Sequence, residues 1–265
     1  MNFSSDNVSP ICPEILSAIA AESESAALPY GADDKSQQLD AAFSELFGTE
    51  VAVVPVATGT AANLIGLSGL VSPFGGVVCH HRAHINMTES TGVAFYGGGA
   101  KLLGLDGPSA KIEAATLDAY LTARSPNGMH SVDPECVAIT QTTEFGTVYT
   151  VDEVHAIGSV CQKHDMRLFM DGARFANAVA ALECHPADIT WKAGVDVLSF
   201  GRPKTAPWRW MPLSCLTRNY AVTPKKAASA ADICFPSTAT LQHSFWPMCK
   251  MTFGCAMRAM PMMRQ

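Results

Sequence analysis

The sequence predicts an α/β fold, in which a largely parallel sheet is covered by helices on both faces. Apolar runs with strand character alternate with helical patterns between residues 40 and 201. This alternation is typical of parallel sheets, because each crossover between parallel strands places a helix on one face. The length of 265 residues, 48% of them hydrophobic, suits one large globular domain.

The predicted elements follow one another in a regular order. Five runs are predicted to be strands, namely 51–56, 76–79, 137–140, 167–170 and 195–200. Four segments are predicted to be helices, namely 60–69, 112–121, 151–164 and 173–182. Ligands of such sheets bind outside the carboxyl ends of the strands. Thr58–Thr60, Asp171 and Lys204 lie at such ends, which predicts that they share one site.

Composition narrows the class of protein. No apolar run reaches about 18 residues, so we expect no membrane span. The segment 1–6 has no basic stretch leading into an apolar one, so we expect no secretory signal. The nine cysteines form no C-x-x-C pair, which favours reduced thiols over disulfides or a zinc site. We therefore expect a cytoplasmic protein without a metal site.

Two segments have the character of ligand-binding loops. Thr58-Gly59-Thr60 leads into a helix and offers backbone N–H groups and a positive dipole end to a phosphate. The alternative is an ordinary helix cap followed by small residues. In the run 79–85, an imidazole such as that of His84 can stack on a flat ring or act as a general base. The alternative for each histidine is a surface or capping role.

Asp171 and Lys204 predict a specific cofactor. A carboxylate at one strand end and a lysine after a later strand are the two groups that pyridoxal phosphate (PLP) requires. The lysine binds the cofactor as a Schiff base, and the acid keeps the pyridine nitrogen protonated. Arg174 can bind a phenolate, a phosphate or a substrate carboxylate through its planar guanidinium. The alternatives are a surface Asp171 that caps the next helix and a solvated Lys204.

Seven segments resemble the low-specificity L-threonine aldolases. These enzymes belong to the aromatic amino acid beta-eliminating lyase and threonine aldolase superfamily, which has the aspartate-aminotransferase type of PLP fold (fold type I). The segments occur in the family's order: 3–7, 30–33, 57–63, 83–85, 143–149, 171–177 and 194–201. The resemblance implies retro-aldol cleavage of L-threonine or L-allo-threonine to glycine and acetaldehyde, in a family that is usually tetrameric.

The resemblance also implies how the cofactor is held. Gly59 and Thr60 are similar to the residues that cradle its phosphate, and Asp171 is similar to the partner of the pyridine nitrogen. His84 resembles the catalytic residue stacked on the ring, and Lys204 stands where the family has the lysine that binds the cofactor.

Three further residues resemble those that contact the substrate. Arg174 is similar to the family arginine near the cofactor and the substrate carboxylate, whereas Ser5 and Tyr30 resemble residues of the active site or of the subunit border. The base that accepts the side-chain hydroxyl proton stays open.

The sequence departs from the family after Gly201. Seven prolines break any periodicity there, and nine Lys or Arg occur with a single acid. When the reading frame is moved back by one base, codons permitted for 202–208 can encode Pro-Thr-Lys-Asn-Gly-Ala-Met, which is the family's continuation. In the same frame, codons permitted for 246–264 can encode a helix of family type. We therefore predict a PLP-binding large domain at 1–201 that is incomplete, and an out-of-frame tail at 202–265 in place of the small C-terminal domain.

The same departure leaves alternative functions open. Losing the small domain removes more than the roughly 5–15 kcal/mol that stabilise a native domain, so we expect an unstable chain of doubtful activity. The alternatives are another PLP-dependent beta-eliminating lyase, or an inactive remnant of the aldolase. A nucleic-acid binder is disfavoured, because the basic tail has no ordered stripe of charge.

Overall fold

The computed structural model describes residues 13–22, 24, 26, 28, 32–123, 131–201 and 213–217, the last range by its backbone alone. The helices are α1 (Pro13–Glu22), α2 (Asp34–Gln37), α3 (Leu39–Phe47), α4 (Gly59–Ser68), α5 (His84–Met87), α6 (Gly92–Tyr96), α7 (Ala114–Ala123), α8 (Val151–Lys163) and α9 (Phe175–Leu182). The strands are β1 (Val51–Pro55), β2 (Gly75–His80), β3 (Lys101–Leu105), β4 (Asp133–Thr140), β5 (Arg167–Gly172), β6 (Val197–Phe200) and β7 (Leu213–Thr217).

All seven strands form one sheet in the order β1-β7-β6-β5-β4-β2-β3. The pairings from β6 through β5, β4 and β2 to β3 are parallel, and β7 runs antiparallel between β1 and β6. The predicted α/β class is therefore confirmed. The five predicted strands and four predicted helices are present, with ends that differ by a few residues.

Two strands were not predicted. No strand is predicted for the run that forms β3. The expectation of no order after Gly201 is wrong for 213–217, because this short run of mixed polar and apolar residues forms β7. Its backbone supplies hydrogen-bond partners to β1 and β6, which would otherwise be open edges. The predicted domain boundary at residue 201 stays a prediction.

The two faces of the sheet carry different cores. On β5, Leu168 and Met170 pack into one cluster with α3, α7, α8 and α9, whereas Phe169 packs into the other with α4 and α6. This division follows from the strand geometry, because successive side chains point to opposite faces. Asp171 has the parity of Phe169, so the strand directs its carboxylate to the face that α4 covers.

The helix α4 lies close against this face. A Cβ added to Gly66 would meet the ring of Phe169 at 2.7 Å and Val197 at 3.2 Å. Only glycine therefore permits the approach of this helix to β5 and β6. The close packing brings the polar side chain of Asn63, one turn earlier on α4, to the carboxyl end of β5.

Candidate functional site

Asp171 lies at the carboxyl edge of the sheet. It pairs with Thr140 of β4 and with Ser199 of β6, and only 3% of its surface is exposed. Its Oδ1 accepts a hydrogen bond from the Ala173 N–H (3.1 Å), and its Oδ2 accepts one from Asn63 Nδ2 (3.2 Å). A carboxylate at this depth is held by directed donors rather than by water.

Burial raises the pKa of the Asp171 carboxyl above its ordinary value. The Ala173 N–H, the charge of His84 and the Asn63 amide act in the opposite direction, because each favours the ionised form. A cation bound against Asp171 would also lower this pKa, because it too favours the ionised form. The carboxylate is therefore placed where a protonated ring nitrogen would stabilise it and be stabilised by it.

His84 begins α5 and stands between two acidic side chains. Its Nε2 lies 3.6 Å from Glu89 Oε1, and its Nδ1 lies 3.5 Å from Glu144 Oε1. The Thr88 hydroxyl is 2.8 Å from the same Nδ1. The hydrogen bond to Glu144 is the largest cause of a raised pKa for His84, and the charges of Asp171 and Glu89 also raise it. This arrangement favours the imidazolium form.

Glu89 is the more deeply buried of the two acids that flank His84. Its side chain is 1% exposed, against 31% for Glu144 and 38% for His84. Burial raises the pKa of Glu89 to about 7, and the nearby charge of Asp171 raises it as well. Hydrogen bonding by Asn63 and the charge of His84 lower it. Near neutral pH the protonated and ionised forms of this carboxyl are therefore both populated.

The loop that carries Glu144 is fixed by side-chain to backbone hydrogen bonds. The Gln141 amide donates to the Tyr149 carbonyl (2.8 Å) and accepts from the Tyr149 N–H (2.9 Å). Within the loop, the Thr143 N–H donates to the Thr147 carbonyl (2.9 Å), and Gly146 adopts a φ of +76°. The turn requires this left-handed glycine, and it places Glu144 beside His84.

The start of α4 supplies the predicted phosphate segment. Thr58 caps the helix, and its hydroxyl accepts a hydrogen bond from the Ala61 N–H (3.0 Å). Gly59 and Thr60 are exposed at this end, in the first turn, where backbone N–H groups have no partner within the helix. The same helix carries Asn63, which ties the phosphate segment to Asp171.

Arg174 follows Asp171 by three residues and caps α9 at half-burial. Its carbonyl accepts hydrogen bonds from the N–H groups of Asn177 and Ala178 (3.0 and 3.3 Å). The short turn between Asp171 and Arg174 keeps both at the carboxyl edge of β5.

The structure brings several predicted residues to one edge of the sheet. Asp171 and His84 interact electrostatically, and the Thr60 hydroxyl is close enough to Glu89 to lower its pKa. The predicted residues Ser5, Tyr30 and Lys204 lie outside the described residues. His80 is buried and accepts a hydrogen bond from the Arg82 N–H (2.9 Å), so its ring holds the turn before α5.

Three residues at this edge received no role from the sequence. Asn63 and Glu144 lie within motifs that carried the resemblance, and Glu89 lies just beyond one. The available signal for Asn63 was a polar residue inside the apolar helix α4, where an unpaired amide is costly. Glu89 and Glu144 gave no comparable signal, because acidic residues in loops are usually solvated.

The donors of this edge fit PLP. Exposed N–H groups at a helix start suit the phosphate, and a buried carboxylate suits the pyridine nitrogen. Among the described residues, the buried Asn63 Oδ1 and Glu89 Oε2 have no hydrogen-bond partner. No group of three or more His, Cys, Asp or Glu in the same ranges is arranged to hold a metal ion. No described helix combines the length and the apolar character that crossing a membrane requires.

The sheet order, with one antiparallel strand, and a site at the carboxyl edge define an α/β protein with the fold of the aspartate aminotransferases. An aspartate aminotransferase of Thermus thermophilus superposes with a TM-score of 0.67 at 14% identity, covering 96% of this chain and 68% of that one. A threonine aldolase of Leishmania major superposes with a TM-score of 0.83 at 24% identity, covering 98% and 75%.

The chain belongs to the Beta-eliminating lyase family, whose sequence profile matches residues 2–207. Low specificity L-threonine aldolases from Pseudomonas aeruginosa and from a second Pseudomonas strain are 40% identical to it over 202 residues, which is 76% of this chain. The chain spans 58% of the length of these relatives. Enzymes of this family and of this fold type depend on PLP.

Proposed function

We propose that this chain carries the PLP-binding large domain of an enzyme that cleaves L-threonine or L-allo-threonine to glycine and acetaldehyde. The observation that carries the proposal is Asp171, a buried carboxylate at a strand end. Asn63 donates a hydrogen bond to it, and the charge of His84 interacts with its charge. The 40% identity to two L-threonine aldolases supports the same substrate class.

The roles of the residues follow from their positions. Gly59 and Thr60 would hold the phosphate, Asp171 would pair with the pyridine nitrogen, and His84 would stack on the ring. PLP, when bound to an amino acid, withdraws electrons from the bonds at its Cα. Arg174 would orient the substrate carboxylate through two parallel hydrogen bonds, which Lys cannot form with the same geometry.

The pair of His84 and Glu144 is our candidate for the missing base. The substrate's hydroxyl must lose its proton as the Cα–Cβ bond breaks, so a proton acceptor has to stand beside it. Glu144 is partly exposed and His84 is half-exposed, so both can meet a substrate. We assign proton acceptance to Glu144 Oε1, with the His84 imidazolium beside it favouring the ionised carboxylate.

The remaining roles are proposals from the family resemblance. Lys204 would bind the cofactor, and it follows Gly201, whose N–H donates to the Gly172 carbonyl next to Asp171 (2.8 Å). Three residues of extended chain reach at most roughly 11 Å, a length that is compatible with this role. Ser5 and Tyr30 would contact the substrate or a neighbouring subunit of a homotetramer in the cytoplasm.

The visible spectrum of the purified chain with added PLP tests the proposal. We expect an absorbance band of lysine-bound cofactor that is lost in Lys204→Ala and kept in Lys101→Ala, an exposed lysine on β3. Incubation of the chain with its reading frame restored with L-threonine should then yield glycine and acetaldehyde. Pyruvate and ammonia from a β-substituted amino acid would indicate a β-eliminating lyase instead, and a chain that binds no PLP would be a remnant.

We propose in addition that 202–265 is read out of frame. The match to the family profile ends at residue 207, which supports a break close to Gly201. Inserting one base near codon 201 should restore the family sequence, raise the melting temperature and increase threonine cleavage. An intact base count in the resequenced gene, with no gain from the insertion, would contradict this proposal.

A further inference from the structure

The carboxamide of Asn63 bridges two buried carboxylates. Its Nδ2 lies 3.1 Å from Glu89 Oε1 and 3.2 Å from Asp171 Oδ2, and all three side chains are buried. A primary amide has two N–H donors, so this bridge uses both of them. The two acids are thus held on either side of one amide.

The oxygen of Glu89 that accepts from Asn63 also faces His84. Glu89 Oε1 is 3.6 Å from His84 Nε2, which is an ion-pair distance rather than a hydrogen bond. A continuous polar path therefore runs from His84 through Glu89 and Asn63 to Asp171. It links α5, the segment after α5, α4 and β5, with the apolar cluster of that sheet face around it.

We infer that Glu89 and Asn63 are positioning residues that couple the charge of His84 to that of Asp171. This inference rests on the proposed function, in which His84 and Asp171 contact opposite parts of the same cofactor. An ionised Glu89 favours the His84 imidazolium, whereas the Asn63 amide favours an ionised Asp171. Because Asn63 serves both acids, a change at one end alters the donor available at the other.

The charged groups that face His84 set the sign of the effect. Glu89, Glu144 and Asp171 all favour the imidazolium, and burial of the ring opposes them. Replacing Glu89 with the isosteric glutamine keeps the packing and removes the negative charge that Glu89 carries once it ionises, near pH 7. The His84 pKa should then fall, by about one unit for an acid at this range.

The experiment is a histidine titration of the full chain without cofactor, using ¹³C-labelled histidine and NMR. His84→Gln identifies the resonance. We expect a wild-type His84 pKa above the ordinary value of 6.5 and a fall of about one unit in Glu89→Gln. Glu113→Gln, which alters an exposed carboxylate before α7, should leave the titration unchanged.

A second arm measures PLP binding by absorbance at pH 7. Asn63→Leu has a similar volume and no donors, so it should weaken PLP binding about tenfold as Asp171 loses its amide. Glu113→Gln again serves as the control.

A wild-type His84 pKa at or below 6.5 overturns the inference without any variant, and so does an unchanged pKa in Glu89→Gln. A purely structural role for Glu89 would leave the titration unmoved. PLP binding that Asn63→Leu does not weaken overturns the coupling while leaving the proposed function intact. A shifted His84 titration in a chain that binds no PLP supports the coupling and refutes the proposed function.

Discussion

The carboxamide of Asn63 donates a hydrogen bond to the carboxylate of Asp171, 108 residues later in the chain, over 3.2 Å. The contact joins the helix whose first turn carries Gly59 and Thr60 to the strand end that carries the buried acid. Both ends of the proposed cofactor site are therefore built on one rigid pair of elements, α4 and β5.

Asp171→Asn should weaken PLP binding at least tenfold at pH 7. The substitution keeps the size of the side chain and removes the charge that would stabilise a pyridinium, and tenfold corresponds to about 1.4 kcal/mol. Absorbance titration of the variant with PLP measures the effect. Asp106→Asn is the control, because the Asp106 side chain is 95% exposed. Equal affinities of Asp171→Asn and wild type would remove Asp171 from the site.

Glu144→Gln should reduce the rate of threonine cleavage about 100-fold while leaving PLP affinity within about twofold. A general base contributes at least this factor, whereas the partly exposed Glu144 supports neither the phosphate nor the ring nitrogen in our proposal. Acetaldehyde release by the chain with its frame restored is the measurement. A variant that cleaves threonine at the wild-type rate would assign the proton transfer to another group.

The stability of the chain should fall as the pH rises from 5 to 8, and Glu89 should be one cause. Burial raises the folded-state pKa of Glu89 to about 7 from 4.5, so the protonated acid stabilises the fold at low pH. That contribution is complete below about pH 4.5 and is lost as the pH rises through 7, with a size on the order of 3 kcal/mol.

Urea unfolding at several pH values measures this dependence. Glu89→Gln cannot ionise, so its free energy of unfolding should change less between pH 5 and 8 than that of the wild type. Glu113→Gln should follow the wild type. Parallel pH profiles for Glu89→Gln and wild type would show that Glu89 does not titrate in this range.

Phe43→Ala should lower the free energy of unfolding by about 3 kcal/mol. The ring of Phe43 is fully buried and packs edge-on against Phe200 of β6, with 5.4 Å between centroids. Removing it leaves a cavity under the strand that leads to the site. Phe74→Ala, at a ring that is 88% exposed, should change stability by less than about 0.5 kcal/mol. Thermal or urea unfolding compares the two variants.

The sequence predicted the elements that repeat a simple pattern. Five strands and four helices were recognisable, because buried parallel strands are continuous apolar runs and the helices between them are periodic. It did not predict β7, since five residues in a proline-rich tail carry no period. Their strand conformation depends on β1 and β6, whose backbone groups pair with them from positions far away in the chain.

The residues of the candidate site likewise divide into those that the sequence indicated and those that it did not. Asp171, His84 and the segment 58–60 were found from the sequence, because each follows or begins a recognisable element and matches a family motif. Asn63, Glu89 and Glu144 were not assigned, because their roles depend on contacts between separate elements. Only the fold places these three against His84 and Asp171.

The sequence by itself determined the α/β class, the family and the chemical types present at the strand ends, because these depend on local periodicity and on short motifs. The tertiary structure alone decided which acid is buried, which is half-exposed and which amide joins them. Burial and side-chain pairing depend on the side of the sheet that each strand presents and on how closely α4 approaches it. Those distances arise from packing across many residues, and no local pattern encodes them.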